Sequence, residues 1–402
     1  MEARDETAVR TAQRLRRAYG HRFRAVYCTL HRLRANEVAG KSSNENWAAR
    51  CVKRRLCDER GVRSDRVVLT VADADTYFHA SYLSALAAAY VAEEPPARRR
   101  TFWQACTQFY PNSDEVPPLC RVRYALLSVG FLGQMANPLH YKLPFASYSL
   151  ALDLAVEAKY WDPAVIPEDW HMFLRCFYAT RGQVKTRPIF LPVGCECVTD
   201  GTAARTLAAC YAQAKRWQWG AIDIGFIAAN SGRASAGRQM AVAAAAAEHH
   251  LLYPLMWVIL FAAPWLLEGW ATGWRFRLWV GFFVANFVLL NVLDRGYRDA
   301  LADHGRGAGG PGAAALPKLS LGRVVSFAFF PVADLLLFVL PSLHAHARMA
   351  LSTRFDYVVA PKVAMCSCLA KAHSSSAILE LEAMPIADLK RAHVQPVYAS
   401  VV

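Results

Sequence analysis

Beyond about Arg238 the chain stops interleaving charged and apolar residues, and this limits its possible folds more than any other feature. Leu251 to Leu267 is 17 residues without a charge, Leu278 to Leu293 is 16 more, and Val324 to Leu343 is an apolar run of 20. A bilayer core needs about 20 apolar residues, with a lower limit near 17. The first run meets that length and the second is marginal. The third is long enough but contains Pro331, Asp334 and Pro341. An acid at membrane depth faces protein or water, so the third run reads as a re-entrant or interfacial segment. Trp257, Trp265, Trp270, Trp274 and Trp279 suit an interfacial belt. The competing reading is a very apolar helical core. Three regions follow: residues 1–238 as a soluble domain, 239–350 as a membrane region of two or three apolar helices, and 351–402 as a tail. Within the second, Asp294 to Arg323 is Gly/Ala/Pro-rich and reads as a flexible connection. The polar tail from Lys371 reads as loosely ordered.

The net charge of +14 is concentrated early, with 17 Lys/Arg against 8 Asp/Glu between Met1 and Arg66. A basic surface attracts nucleic acid, anionic lipid or phosphate. No nucleic-acid motif accompanies it, which leaves membrane lipid headgroups and phosphate as partners, or a merely solvated helix face. The 11 cysteines include the C-x-C pairs Cys195/Cys197 and Cys366/Cys368, a spacing unlike that of zinc sites. Reduced thiols are the expectation. The first twenty residues lack the apolar core of a signal peptide.

The first region alternates. Glu6 to Tyr19 reads as a helix, Phe23 to Leu30 as a β-rich run, Asn44 to Arg60 as a helix and Arg66 to Ala72 as a buried strand. Ala80 to Ala92 reads as a helix, Thr101 to Tyr110 as an aromatic-rich strand, and Ala203 to Phe226 as one long helix. Such alternation predicts an α/β domain with a parallel sheet, whose ligands gather beyond the carboxyl ends of its strands.

Four stretches carry candidate chemistry. "GKSS" at Gly40 resembles the end of a phosphate-binding P-loop, but the glycine required five residues earlier is Ala35. In "VVLTVADADTYF", Asp73 and Asp75 directly follow a strand, and residues two apart in extended chain face one way. Like charges held close oppose each other's ionisation, a conflict that Mg²⁺ or Mn²⁺ removes while also taking phosphate oxygens. The bland alternative is a strand end followed by a helix cap. In "IPEDWHMFLRCF", Pro167 suits a helix start and Glu168 and Asp169 its positive first turn; alternatively, Asp169 faces a cleft as a general base. In "YAQAKRWQWG", Gln213, Arg216 and Trp217 share a helix face. Arg216 could fork onto a pyrophosphate and Trp217 could offer a flat face to a sugar, or the tryptophans could anchor a helix at a membrane surface.

Taken in order, D-x-D after a strand, E-D, Q-x-x-R-W and then apolar runs, the chain resembles the family-2 glycosyltransferases of the cellulose, chitin and hyaluronan synthase kind. The resemblance covers about Lys41 to Gly220. It implies a GT-A fold, a Rossmann-like nucleotide-sugar-binding sheet, followed by C-terminal transmembrane helices. It also implies a multi-pass membrane protein whose catalytic domain faces the cytosol. Asp75 would hold Mg²⁺ or Mn²⁺ on the donor diphosphate with Asp73 beside it. Lys41 would lie near the nucleotide and Asn46 in the helix behind it. Asp169 would be the base, Arg216 would steady the departing diphosphate, and Gln213 and Trp217 would line the acceptor end. Ser147, Tyr148 and Ser149 are further sugar-contacting candidates, or else core. The partners implied are a nucleotide-sugar donor, a UDP-sugar by this reading, and a polysaccharide or lipid acceptor.

The family's first strand, with its nucleotide-binding acid, has no counterpart before "MEARDETAVRT", where Glu2 reads as its remnant. Three functions follow: a polysaccharide synthase, a single-transfer enzyme like ceramide glucosyltransferase, or an inactive nucleotide-sugar-binding membrane protein.

Overall fold

The computed structural model describes residues 7–266, 273–308, 320–352 and 397–401. After α1 (Ala8–Tyr19), α2 (Lys41–Val52) leads into β1 (Val67–Val71), whose five residues are all buried. A short β2 (Thr76–Phe78), α3 (Tyr82–Ala92) and α4 (Pro95–Arg98) precede β3 (Thr101–Gln108), which is also buried throughout. Then come α5 (Pro118–Ala136), β4 (Tyr148–Ala151), α6 (Leu152–Glu157), α7 (Glu168–Ala179) and β5 (Lys185–Cys195). The strands form one sheet in the order β2-β5-β3-β4-β1-β6, where β6 is Val397–Val401.

This α/β sheet is mixed rather than parallel. β4 runs antiparallel to both β1 and β3, and β2 runs antiparallel to β5. The cause is the loop before β4: it delivers Tyr148 opposite Val71, at the carboxyl end of β1, so the strand can only run back. That entry point also places residues 145–147 beside the D-x-D turn. Gln104 in β3 clamps the loop, its amide donating to the carbonyls of Phe145 and Ser147 and accepting from Phe145 N–H at 2.9 Å. The outer edge of β1 is paired in parallel by β6, so the tail is not loosely ordered at Val397–Val401.

Three other expectations need correction. Phe23 to Leu30 forms no strand, because among the described residues no neighbouring strand covers it and Phe23, Tyr27 and Leu30 are exposed. The helix expected over Ala203–Phe226 breaks into α8 (Ala203–Gln218), a tight turn at Trp219–Ala221, and α9 (Ile222–Ala229). The turn lets Gly220 lie against His250, where an added Cβ would come within 3.1 Å of the ring. The supposed flexible connection from Asp294 is helical as far as Ala308, consistent with its alanines and charged residues favouring helix. Residues 309–319, Glu2, Trp270, Cys366 and Cys368 lie outside the described residues. All described cysteines are free thiols.

The apolar runs are helical. α10 (Ala236–Ala247) and α11 (Tyr253–Leu266) lead to α12 (Trp274–Ala308). The third run is α13 (Leu321–Ser326), α14 (Phe330–Asp334) and α15 (Leu340–Leu351), joined by tighter and wider turns around Pro331 and Asp334. Trp274–Asp299 and Leu321–Leu351 are long and apolar enough to cross a membrane, and the apolar stretch of the first is only 6% buried. Exposed Leu278, Phe282, Val284, Val288 and Val292 give α12 an apolar surface of the kind that marks a membrane or partner contact.

Candidate active site

The site begins at Lys41, the first residue of α2. Its Nζ lies 2.9 Å from Asp73 Oδ1, 2.7 Å from Glu168 Oε1 and 3.8 Å from Glu45 Oε1. It also donates to the carbonyl of Ala146 at 3.1 Å. The N–H of Ala146 donates to Asp169 Oδ2 at 3.2 Å, so the backbone of one residue joins the lysine to the expected base. Ala146 has φ 53°, a left-handed conformation uncommon outside glycine. Strain of this type gathers at functional sites. Next in the chain, Ser147 Oγ lies 3.3 Å from Thr76 Oγ1, adjoining Asp75. The D-x-D turn and the start of α7 therefore meet across residues 146 and 147.

Three acids gathered on one cation set the local electrostatics. Burial works to lower the pKa of Lys41, yet Asp73, Glu168 and Glu45 raise it well above the usual lysine value. Glu45 is buried, neither carboxylate oxygen has a hydrogen-bond partner among the described residues, and desolvation pushes its pKa well above the usual range. Burial, followed by the nearby Glu168, raises Asp169 to about 7.

Asp75 Oδ2 accepts from Glu196 N–H at 3.1 Å, and the Glu196 carboxylate accepts from Tyr77 OH at 2.7 Å. Among the described residues no group of three or more His, Cys, Asp or Glu side chains could hold a metal ion. The all-oxygen pair Asp73 and Asp75 fits Mg²⁺ or Mn²⁺, which accept one or two carboxylates and complete their shell with phosphate and water.

α8 approaches from another side. Gln213 is buried and its Oε1 accepts from Arg123 Nη1 at 3.2 Å and Tyr124 OH at 3.0 Å. The Arg123 guanidinium also lies 5.0 Å from the Trp217 ring centre, so one arginine seats Gln213 and Trp217, two of the three residues of the shared face. Arg216 is half-buried in the same final turn. Beyond it, Gln218 Oε1 pairs with His250 Nδ1 at 3.1 Å, and the His250 ring packs 5.2 Å from Trp170, which follows Asp169. Gly220 and Pro167 are close enough that an added Cβ would sit 3.8 Å from the proline. The end of Q-x-x-R-W thus abuts the start of E-D.

Not every candidate faces a cleft. Tyr148 is fully enclosed and its OH accepts from Trp161 Nε1 at 2.8 Å, while Ser149 Oγ pairs with Thr70 Oγ1 at 2.9 Å. Ser147 is buried too, though it borders the D-x-D turn. Asn46 donates to the Trp161 carbonyl from behind. Glu45, Gln104, Arg123, Glu196 and His250 were not singled out from the sequence. The strand period offered one signal, a lone acid between the buried Cys195 and Cys197.

Two residues past Asp169, His171 braces α7. Its Nδ1 lies 2.6 Å from Asp223 Oδ1 in α9, and its Nε2 lies 3.7 Å from Asp162 Oδ2, an ion-pair distance. Burial disfavours the imidazolium, but Asp162 and Asp223 raise its pKa to about 9. That stabilisation should be complete below the unfolded value of about 6.5 and disappear as pH rises through about 9, amounting to about 3 kcal/mol. Thermal unfolding should show this decline in the wild type but not in His171→Gln. Parallel profiles for the two proteins would remove His171 as the cause.

Residues 68–294 match the profile of glycosyl transferase family group 2. The match runs from β1 to Asp294 in α12, more than half of the chain, and the chain belongs to this family. It is a glycosyltransferase by family, a class that takes a nucleotide-sugar donor and an acceptor. The matched segment contains Asp73, Asp75, Asp169, Gln213, Arg216 and Trp217, whereas Lys41 precedes it. No curated protein matches the chain.

Proposed function

We propose that this protein is a membrane-embedded, metal-dependent, inverting glycosyltransferase with a GT-A sheet, of the cellulose, chitin and hyaluronan synthase-like type. It moves a sugar from a UDP-sugar to an acceptor hydroxyl on the cytosolic side. The observation that best supports this reading is the convergence of Lys41, Asp73, Glu168 and Asp169 around Ala146. Asp169 takes the proton from the acceptor hydroxyl as its oxygen bonds to the anomeric carbon and the bond to the diphosphate breaks. Arg216 and Lys41 bear on the leaving diphosphate. Asp75 and Asp73 would hold the divalent cation, which would supply charge neutralisation on that diphosphate. A preorganised clamp on developing charge is usually the largest catalytic contribution. Trp217, seated with Gln213 by Arg123, forms the acceptor end, with Ser147 near the D-x-D turn.

The acceptor is a growing polysaccharide or a single lipid. Among the described residues two helices are long and apolar enough to cross a membrane, and either acceptor is compatible with a membrane-borne enzyme. Membranes containing the full chain, given radiolabelled nucleotide-sugars and Mn²⁺, would distinguish the two. Polymer of high molecular weight supports the synthase, and organic-extractable product supports glycolipid synthesis. No metal-dependent product with any donor overturns the enzymatic reading in favour of an inactive nucleotide-sugar-binding protein.

A further inference from the structure

The loop from Phe109 to Asp114, between β3 and α5, contains none of the residues assigned to the reaction, yet it is gripped from two sides. On one side, Asp114 accepts from Arg298 Nη1 at 3.0 and 3.2 Å and also from Arg323 Nη1. Arg323 forks onto Asp294 at 2.8 and 2.6 Å and reaches Ser113 Oγ at 3.4 Å. Tyr110 stacks on Tyr297 with ring centres 4.9 Å apart. Asp294, Tyr297 and Arg298 stand at i, i+3 and i+4, on one face of α12. Asp294, Arg298 and Arg323 are buried.

On the other side the loop holds the end of β5. The Asn112 amide donates to the Cys197 carbonyl at 3.0 Å and accepts from Cys197 N–H at 2.7 Å, pairing as a strand backbone would. Pro111 lies over Gly194, where an added Cβ would meet its Cγ at 2.9 Å. Between Gly194 and Cys197 sits Glu196, whose N–H donates to Asp75 Oδ2 at 3.1 Å. An unbroken series of contacts therefore runs from α12 and α13, through Asp114, Asn112 and Cys197, to one carboxylate of the D-x-D turn.

We propose that Asn112 is a positioning residue for cation binding: by holding Cys197 it fixes the Glu196 N–H that aims the Asp75 carboxylate, and Asp114 fastens this arrangement to the apolar helices. The proposal rests on Asp75 being a ligand of the divalent cation.

The test uses the full chain in detergent and measures Mn²⁺-supported binding of UDP by calorimetry. Asn112→Ala is expected to raise the Mn²⁺ concentration for half-maximal UDP binding about tenfold, the size of loss typical for residues that support metal ligands. Excess Mn²⁺ should restore binding, a rescue that general destabilisation would not show. If Asn112→Ala does not fold, Gly194→Ala, which displaces Pro111, should give the same shift. An Asn112→Ala or Gly194→Ala protein that unfolds cooperatively and needs no more Mn²⁺ than wild type overturns the proposal. Asp75→Asn separates the two layers of inference. If it binds Mn²⁺ and UDP like wild type, the cation reading itself fails, and the role of Asn112 fails with it.

Discussion

Asp169→Asn should lower sugar transfer by about 10²–10⁴-fold, the range a positioned base contributes, while Mn²⁺-supported binding of UDP stays close to wild type. The substitution keeps the side-chain shape and still lets one oxygen accept from Ala146 N–H. It removes only the capacity to take a proton from the acceptor. The wild-type enzyme should show a matching pH dependence. A base acts when unprotonated, and burial together with Glu168 holds Asp169 near pKa 7, so transfer should fall as pH drops through about 7. Equal loss of UDP binding and transfer would exclude Asp169 as the base. A rate that stays level between about pH 6 and 8 would do the same.

The second large effect is expected at Lys41. Lys41→Met leaves Asp73, Glu168 and Glu45 facing one another without their shared cation. Removing one partner from a buried charge cluster typically costs about 3–5 kcal/mol, and partial exposure of Lys41 puts this site at the lower end. The sign of the pH effect follows from repulsion between like charges. Without Lys41 the carboxylates take up protons more readily, and each proton gained relieves the conflict. The stability deficit should therefore be largest near neutral pH and shrink as pH falls. Thermal unfolding of both proteins across that range provides the check. A Lys41→Met protein as stable as wild type at neutral pH would show that the cluster is not held together by this lysine.

The two predictions concern residues that differ in how legible they were in the sequence. Asp169 stands in a motif whose order along the chain, D-x-D, E-D and Q-x-x-R-W, points to the family without any geometry. Lys41 stands in a P-loop-like pattern that lacks its first glycine, and only the family resemblance places it near the nucleotide. Its carbonyl partner, Ala146, is 105 residues away, and nothing in either local sequence announces the contact. Arg123 carries still less of a signal: it is one of two arginines in an otherwise apolar helix, and its role appears only when α5 packs beside α8. Tyr148 shows the opposite error. A polar-looking Ser-Tyr-Ser stretch suggested sugar contacts, but Tyr148 and Ser149 turn inward and satisfy Trp161 and Thr70.

Features that depend on short-range periodicity could be read directly. The apolar runs are helices, β1 and β3 are buried strands, and helices begin near Lys41 and at Glu168, because hydrophobic spacing and terminal residues act within a few positions. Strand direction and pairing could not be read in this way. Whether β4 runs with or against β1 depends on where a loop enters the sheet, and the edge of β1 is filled by Val397–Val401 from the far end of the chain. Convergence of the acids on Lys41, like the grip of α12 on the loop before α5, is a property of packing between distant segments. Local sequence carries no record of such contacts, since each partner is compatible with many neighbours until the fold selects one.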